Sequence, residues 1–268
     1  MCIRDRIIRK EVDRREIKTD RVIRLHYIEL DEPNIDIPKG DINYLLEALD
    51  AQWELSGLSY NFSIVPNLQK ILKKGDRKVT VAVFEGNEIL SVWPGYHDSI
   101  FGVSLDIGST TVAACLSDLS SGDVIASVNT MNPQIRFGED LMSRVSFAMM
   151  NSNGAHQMTE SIRGAINDLL HELTEESNVP LTSILEISIV ANPVMHHILL
   201  GIDPCELGGA PFSLAIDTSV SEAAVNFGLN INPGGKVYVL PCIAGHVGAD
   251  TAGVILSEKP FSLSLIHI

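Results

Sequence analysis

Hydrophobic positions along this chain fall into two blocks with different rhythms. In the first, residues 25–30 read as a strand and residues 41–49 as a helix, with Asp41 as its N-cap and Ile42, Leu45, Leu46 and Leu49 on one face. A short helix starts near Pro66, which suits a first helical position, and runs to about Lys73 before Gly75 stops it. Residues 78–84 and 88–93 pair as a hairpin across Glu85, Gly86 and Asn87, and the alternation of Val79, Val81 and Val83 predicts one buried face. Pro94 cannot continue a strand ladder, so the block closes there and a boundary falls near residues 95–99.

The second block is longer. Strand-like runs at 102–107 and 112–119 flank a tight polar turn, and a turn at 120–123 leads to a third strand at 124–129. Helices follow over 139–150 and 156–177, the second with Met158, Ile162, Ile166, Leu169 and Leu173 at helical spacing. Residues 184–191 read as a fully buried strand. Asn192 then caps a short helix that begins with Pro193 and stops at Gly201. The block ends with a strand at 236–240, a glycine-containing turn and a helix over 251–257.

Composition changes this picture little. With 268 residues and 45% hydrophobic positions the chain can bury a sizeable core in one or two domains. A net charge of −14 repels phosphate backbones and anionic surfaces, which argues against nucleic acid and membrane as partners and leaves a basic protein surface acceptable. The cysteines Cys2, Cys115, Cys205 and Cys242 form no Cys-x-x-Cys pair, and Cys115 and Cys242 sit in apolar runs. A reducing cytoplasm is the expected compartment, and neither a membrane-spanning run nor an export signal is present. Residues 1–6 and 262–268 do not fit their neighbours and read as translated scars; residues 7–23 read as a charge-dense linker with partial docking.

The candidate chemistry gathers at the turn Asp106-Ile107-Gly108-Ser109-Thr110-Thr111. Gly108 permits close approach of the backbone to an anion, the N–H groups and hydroxyls of Ser109, Thr110 and Thr111 offer uncharged donors, and Asp106 would hold a hydrated Mg²⁺ that bridges to phosphate. The hexapeptide by itself also fits an ordinary hairpin with a Ser/Thr turn. Gln134, Arg136 and Asp140, on a polar loop after the third strand, are candidates to face a nucleotide or a partner. Asn192 stands at the carboxyl end of a strand, where α/β sheets place ligands and where a kinase would need a carboxylate. His196 and His197 point about 100° apart on a helix, so the expectation is one packed and one at the cleft or a partner surface rather than a shared metal ion. Gly245 and Gly248 either approach phosphate or pack closely, and Asp250 either caps the last helix or faces the cleft.

The strand, Asp-Ile-Gly-Ser-Thr-Thr, strand, turn, strand order resembles the opening of the actin, sugar-kinase and heat-shock ATPase superfamily. The set of Leu105–Thr111, Asn132–Gly138, Asn192–Pro204, Gly209-Ala210-Pro211-Phe212 and Val247-Gly248-Ala249-Asp250 resembles one branch of it, the ferredoxin-type reductive activators of corrinoid-dependent enzymes. The resemblance implies an α/β fold: the ribonuclease H-like first half of an actin-like ATPase over 99–261, preceded by a small α+β middle domain over 24–98. It implies ATP and Mg as cofactors, with a two-iron two-sulfur cluster only in an intact parent whose ferredoxin domain and second ATPase half are not in this sequence. Asp106 and Asn192 would be catalytic, with Asp106 holding Mg through water; Gly108, Ser109, Thr110, Thr111, Gly245, Gly248 and Asp250 would contact the nucleotide. The implied activity is return of an inactive Co(II) corrinoid protein or methyltransferase to Co(I), with a homodimer left open and the fragment expected to be inactive alone. A small-molecule kinase and a non-enzymatic corrinoid-protein docking module are the alternatives.

Overall fold

The computed structural model describes residues 21–258. Most of the charged run expected at 7–23 lies outside the described residues, and its end is already strand: Ile23 opens β1 and is buried.

The first unit is a four-stranded sheet of β1 (Ile23–Glu29), β2 (Ser59–Tyr60), β3 (Lys78–Phe84) and β4 (Glu88–Pro94), in the order β1-β3-β4-β2. Helices α1 (Asp41–Trp53) and α2 (Val65–Lys74) cover one face. Leu45, Leu49, Leu68 and Leu72 on the helices meet Val79, Val81, Val83 and Ile89 on the strands, each fully buried aliphatic side chain contributing about 1.5–3 kcal/mol against exposure. Gly40, not Asp41, is the N-cap of α1, and the helix continues a turn past Leu49, where Gln52 Nε2 donates to Glu29 O at 2.7 Å and Trp53 Nε1 to Tyr27 O at 2.9 Å. The expected single buried face of β3 is corrected: Thr80 and Ala82 are as buried as the valines. Ala82 and Leu90 face the second unit and pack with Ile23, Ile100 and Leu185. Asn232 Nδ2 donates to Ser91 Oγ at 3.1 Å, Lys236 pairs with Glu88 at 2.6 Å, and a Cβ on Gly234 would lie 1.8 Å from the Leu90 carbonyl oxygen. The two sheets are therefore packed tightly enough that only glycine fits at the crossing.

The second unit is a six-stranded sheet of β5 (Phe101–Ile107), β6 (Thr111–Asp118), β7 (Val124–Met131), β8 (Ile184–Ala191), β9 (Val220–Ala223) and β10 (Lys236–Val239). Its order is β7-β6-β5-β8-β10-β9; β5, β6 and β7 run as an antiparallel meander, β8 and β10 join β5 in parallel, and β9 closes the edge antiparallel. Without the β9 edge, this is the ribonuclease H-like layer of an actin-like ATPase half.

Helices α3 (Leu141–Met150) and α4 (Gly154–Ser177) cover one face, and Met158, Ile162, Ile166, Leu169 and Leu173 of α4 are all core. α3 starts at Leu141 rather than Glu139, because the Asp140 carboxylate accepts from Ser143 N at 2.7 Å and forms a capping box. α5 (Pro193–Leu200) and α6 (Ala249–Glu258) follow β8 and β10. β8 is buried on one face only: Glu186, Ser188 and Val190 are part-exposed, and burial raises the pKa of Glu186 while a Ser188 hydrogen bond opposes it. Cys115 shares that more open face with Ser127, 3.4 Å away, and is less buried than its apolar run suggests.

Candidate functional site

Parallel pairing of β5 with β8 sets Asp106 beside Val190 and Ile107 beside Ala191, so the turn after β5 and the start of α5 emerge at the same edge of the sheet. The turn after β10 arrives there too. A Cβ on Gly248 would lie 2.6 Å from both the Ala191 carbonyl oxygen and Asn192 Cα. Three chain reversals thus meet at the carboxyl ends of the parallel strands, where open α/β sheets bind ligands.

The turn from Gly108 to Thr111 has an unusual polarity. Asn132 Nδ2 donates to Gly108 O at 2.7 Å, Arg144 Nη2 donates to Ser109 O, Asn132 N donates to Thr110 O at 2.8 Å, and Gly108 N donates to Thr111 O at 3.0 Å. Every carbonyl of the turn is therefore occupied from the protein side. Among the described residues, the backbone N–H groups of Ser109 and Thr110 and the hydroxyls of Ser109, Thr110 and Thr111 have no acceptor. Thr110 and Thr111 are exposed. Gly108 is required for the shape, since a Cβ there would lie 2.8 Å from Thr111 O. A turn whose acceptors face inward and whose donors face solvent fits an anion and would repel a cation. Asp106, exposed at the end of β5, fits a hydrated divalent cation beside such an anion.

Asn132 and Arg144 do this work, and sequence reasoning missed both. Asn132 is fully buried, and its Oδ1 also accepts from Gln134 N at 2.9 Å. Arg144 is fully buried as well: Nε donates to Gly138 O at 3.0 Å and Nη1 contacts Met195 Sδ at 3.1 Å. Burial pulls its pKa down, with Asp140 opposing, but a guanidinium stays charged at neutral pH. The legible signal was a single cation on the apolar stripe Leu141, Arg144, Val145, Ala148.

The other candidates are placed as follows. Asn192 Oδ1 accepts from Met195 N at 3.0 Å and is the N-cap of α5, as its spacing predicts. At the other end of α5, Thr159 Oγ1 donates to Ile198 O at 2.7 Å and Arg163 Nη2 to Leu199 O at 2.9 Å, which fastens the helix to α4. Gly245 packs on the Phe212 backbone, where a Cβ would lie 1.8 Å from the carbonyl oxygen. Asp250 stands in the first turn of α6, its Oδ1 accepting from Thr251 N at 2.7 Å. Of the polar-loop candidates, Arg136 and Asp140 are exposed; Asp140 caps α3, and Arg136 lies over the Phe137 ring at 4.6 Å and lines an open groove of about 430 Å³ with His156 and Glu160. Gln134 is corrected from a cleft residue to a core residue: it is fully buried and donates to Met158 O at 2.9 Å.

The expectation of one histidine at the cleft or a partner surface is also corrected, because His196 and His197 are both buried. Ala215 N donates to His197 Nε2 at 3.0 Å, which makes Nδ1 the protonated nitrogen, donating to Pro193 O at 3.0 Å. His196 has neither ring nitrogen in a hydrogen bond of ordinary geometry, and burial followed by its neighbour His197 lowers its pKa to about 4. Among the described residues no three His, Cys, Asp or Glu side chains gather as a metal centre, and no helix is long and apolar enough to cross a membrane.

Residues 101–259 match the family model of the RACo middle region. The chain belongs to the RACo family of corrinoid reductive activators. Residues 12–99 match the RACo linker region, so the small first unit carries the family's linker name and the larger unit its middle-region name. The corrinoid activation enzyme RamQ of Eubacterium limosum is 29% identical over 199 residues, covering 73% of this chain and 33% of that protein. A solved structure of a reductive activator for corrinoid, iron-sulfur protein superposes with a TM-score of 0.80 at 29% identity, covering 94% of this chain and 40% of that one. The chain thus spans a third to two fifths of the length of these relatives.

Proposed function

We propose that this chain is the part of an ATP-dependent corrinoid activator that binds the nucleotide phosphates, in a protein that returns an inactive Co(II) corrinoid to Co(I). The observation that carries the reading is the inward commitment of all carbonyls from Gly108 to Thr111, which leaves donors facing the edge of the sheet. The names of the similar proteins supply the corrinoid; the turn supplies the phosphate chemistry.

In this reading the N–H groups of Ser109 and Thr110 and the neighbouring hydroxyls orient the phosphates. Asp106 would hold a Mg²⁺, whose charge would offset the repulsion between its carboxylate and the phosphate. Asn192 keeps its carboxamide on the α5 N-terminus, so no carboxylate at that position can take a proton from a substrate hydroxyl. This favours hydrolysis coupled to conformational work over phosphoryl transfer to a small alcohol. Gly245 serves packing, while Gly248, packed against the end of β8, and Asp250 would border the nucleotide in this reading. The cytoplasmic assignment, the electron-donating cluster and a methyltransferase partner belong to the same proposal.

The test is calorimetric titration of the chain with Mg-ATP, beside the same titration of the Gly108→Ala and Thr110→Val variants. Binding weaker than micromolar that both variants reduce supports the reading. No heat at millimolar Mg-ATP, or binding indifferent to both substitutions, overturns it.

A further inference from the structure

Arg144 has an electrostatic position that the fold alone does not require. It is fully buried, and all its acceptors are neutral: Gly138 O, Ser109 O and Met195 Sδ. No carboxylate lies within ion-pair distance of it among the described residues. The carboxylate charge it feels is Asp140, whose side chain is spent on the α3 capping box at the surface. A buried cation without a paired anion is costly, and a neutral donor such as the carboxamide of Asn132 holds the neighbouring carbonyl of this turn without that cost. The guanidinium sits directly behind the Ser109 peptide, whose carbonyl it holds, while the N–H groups of Ser109 and Thr110 on that turn have no acceptor.

We propose that Arg144 is a positioning residue for this turn and its source of positive charge, paired through the Ser109 peptide with a phosphate anion bound on the solvent side. The exposed residues of the turn carry no cation, and Arg136 of the polar loop lies over the Phe137 ring and lines the groove with His156 and Glu160. Besides the Mg²⁺ proposed at Asp106, the protein's own counter-charge to the anion comes from behind. This rests on the nucleotide reading above and adds to it the residue that sets the affinity and the salt dependence of the site. Asn132 is its neutral counterpart, holding Gly108 O and Thr110 O without charge.

The experiment compares Arg144→Lys, Arg144→Gln and the unaltered chain by calorimetric titration with inorganic tripolyphosphate and with Mg-ATP, at low and moderate salt. Losing a charge-assisted contribution predicts about tenfold weaker binding in Arg144→Gln with a flatter salt dependence, and less than about threefold in Arg144→Lys, which keeps the charge. Equal weakening by both variants would mean a structural role and overturns the proposal. Unchanged binding in both overturns it while leaving the nucleotide reading standing, whereas no binding by the unaltered chain removes both. Because a buried variant can fail to fold, the Arg144 Nε–H resonance of the unaltered chain is followed during the same tripolyphosphate titration. It shifts together with the Ser109 and Thr110 amides if the proposal holds; a still Arg144 signal while those amides move contradicts it.

Discussion

The turn after β5 and the turn after β10 both place glycine where a strand of the parallel layer ends, and they use it for different ends. At Gly108 the missing Cβ lets the chain fold on itself, with Gly108 N donating to Thr111 O, while neighbouring side chains take the remaining carbonyls. At Gly245 and Gly248 the missing Cβ makes room for other segments, the Phe212 backbone and the end of β8. One glycine shapes a surface of donors; the others let pieces of backbone touch. What marks the β5 turn as the proposed ligand turn is where its carbonyls go, which the spacing of glycines does not reveal.

The comparison breaks most readily at Gly245. A methyl group 1.8 Å from a backbone oxygen cannot be relieved by a side-chain rotation, so Gly245→Ala should cost roughly 3 kcal/mol or more in urea unfolding. Its residual folded fraction should keep the same Mg-ATP affinity. Gly108→Ala should reverse the pattern, with a smaller stability loss and the larger loss of binding.

The second largest effect concerns the helix beside these turns. The folded-state pKa of His196 lies near 4, below the ordinary 6.5, so the unfolded chain takes up a proton first as pH falls. Stability contributed by the neutral imidazole is thus complete above pH 6.5 and is lost between 6.5 and about 4, by roughly 2–3 kcal/mol. His197, also lowered by burial, adds to the loss in the same direction. Denaturant midpoints across this range should fall in the unaltered chain and fall less in His196→Leu.

Asn132→Ala leaves Gly108 O and Gln134 N without their buried side-chain partner while the Asn132 N–H to Thr110 O is kept, and about 2 kcal/mol is expected in thermal or urea unfolding. Smallest is Thr110→Val. Its hydroxyl is exposed and unused by the protein, so stability should stay within about 0.5 kcal/mol while Mg-ATP affinity falls severalfold.

What the sequence disclosed was local chemistry. Asn192, Pro193 and Gly201 bracket α5 as their types require, and the five core residues of α4 follow a helical repeat that nothing else in the chain contradicts. The strand order and the Asp106–Thr111 turn were legible for the same reason, apolar runs broken by polar turn residues. β2 and β9 were not, being two and four residues long and exposed or half-exposed, with pairing set by β4 and β10 rather than by their own pattern. The second buried face of β3 depends on Ile100 and Leu185 arriving from the other unit. Likewise the burial of both histidines depends on segments such as Ala215, whose N donates to His197, and the role of Arg144 on its acceptor Ser109 O. Tertiary partners distant in sequence decide those positions, and no local window contains them.

The most direct measurement follows backbone amide signals of the whole chain while Mg-ATP is added to millimolar concentration. If the β5 turn is the phosphate site, the largest shifts fall on Ser109, Thr110 and Thr111, and Gly245 stays still. Shifts concentrated on Gly245 and its neighbours, with Ser109 to Thr111 unmoved, would assign the phosphates to the other turn and contradict the distinction drawn from the carbonyls.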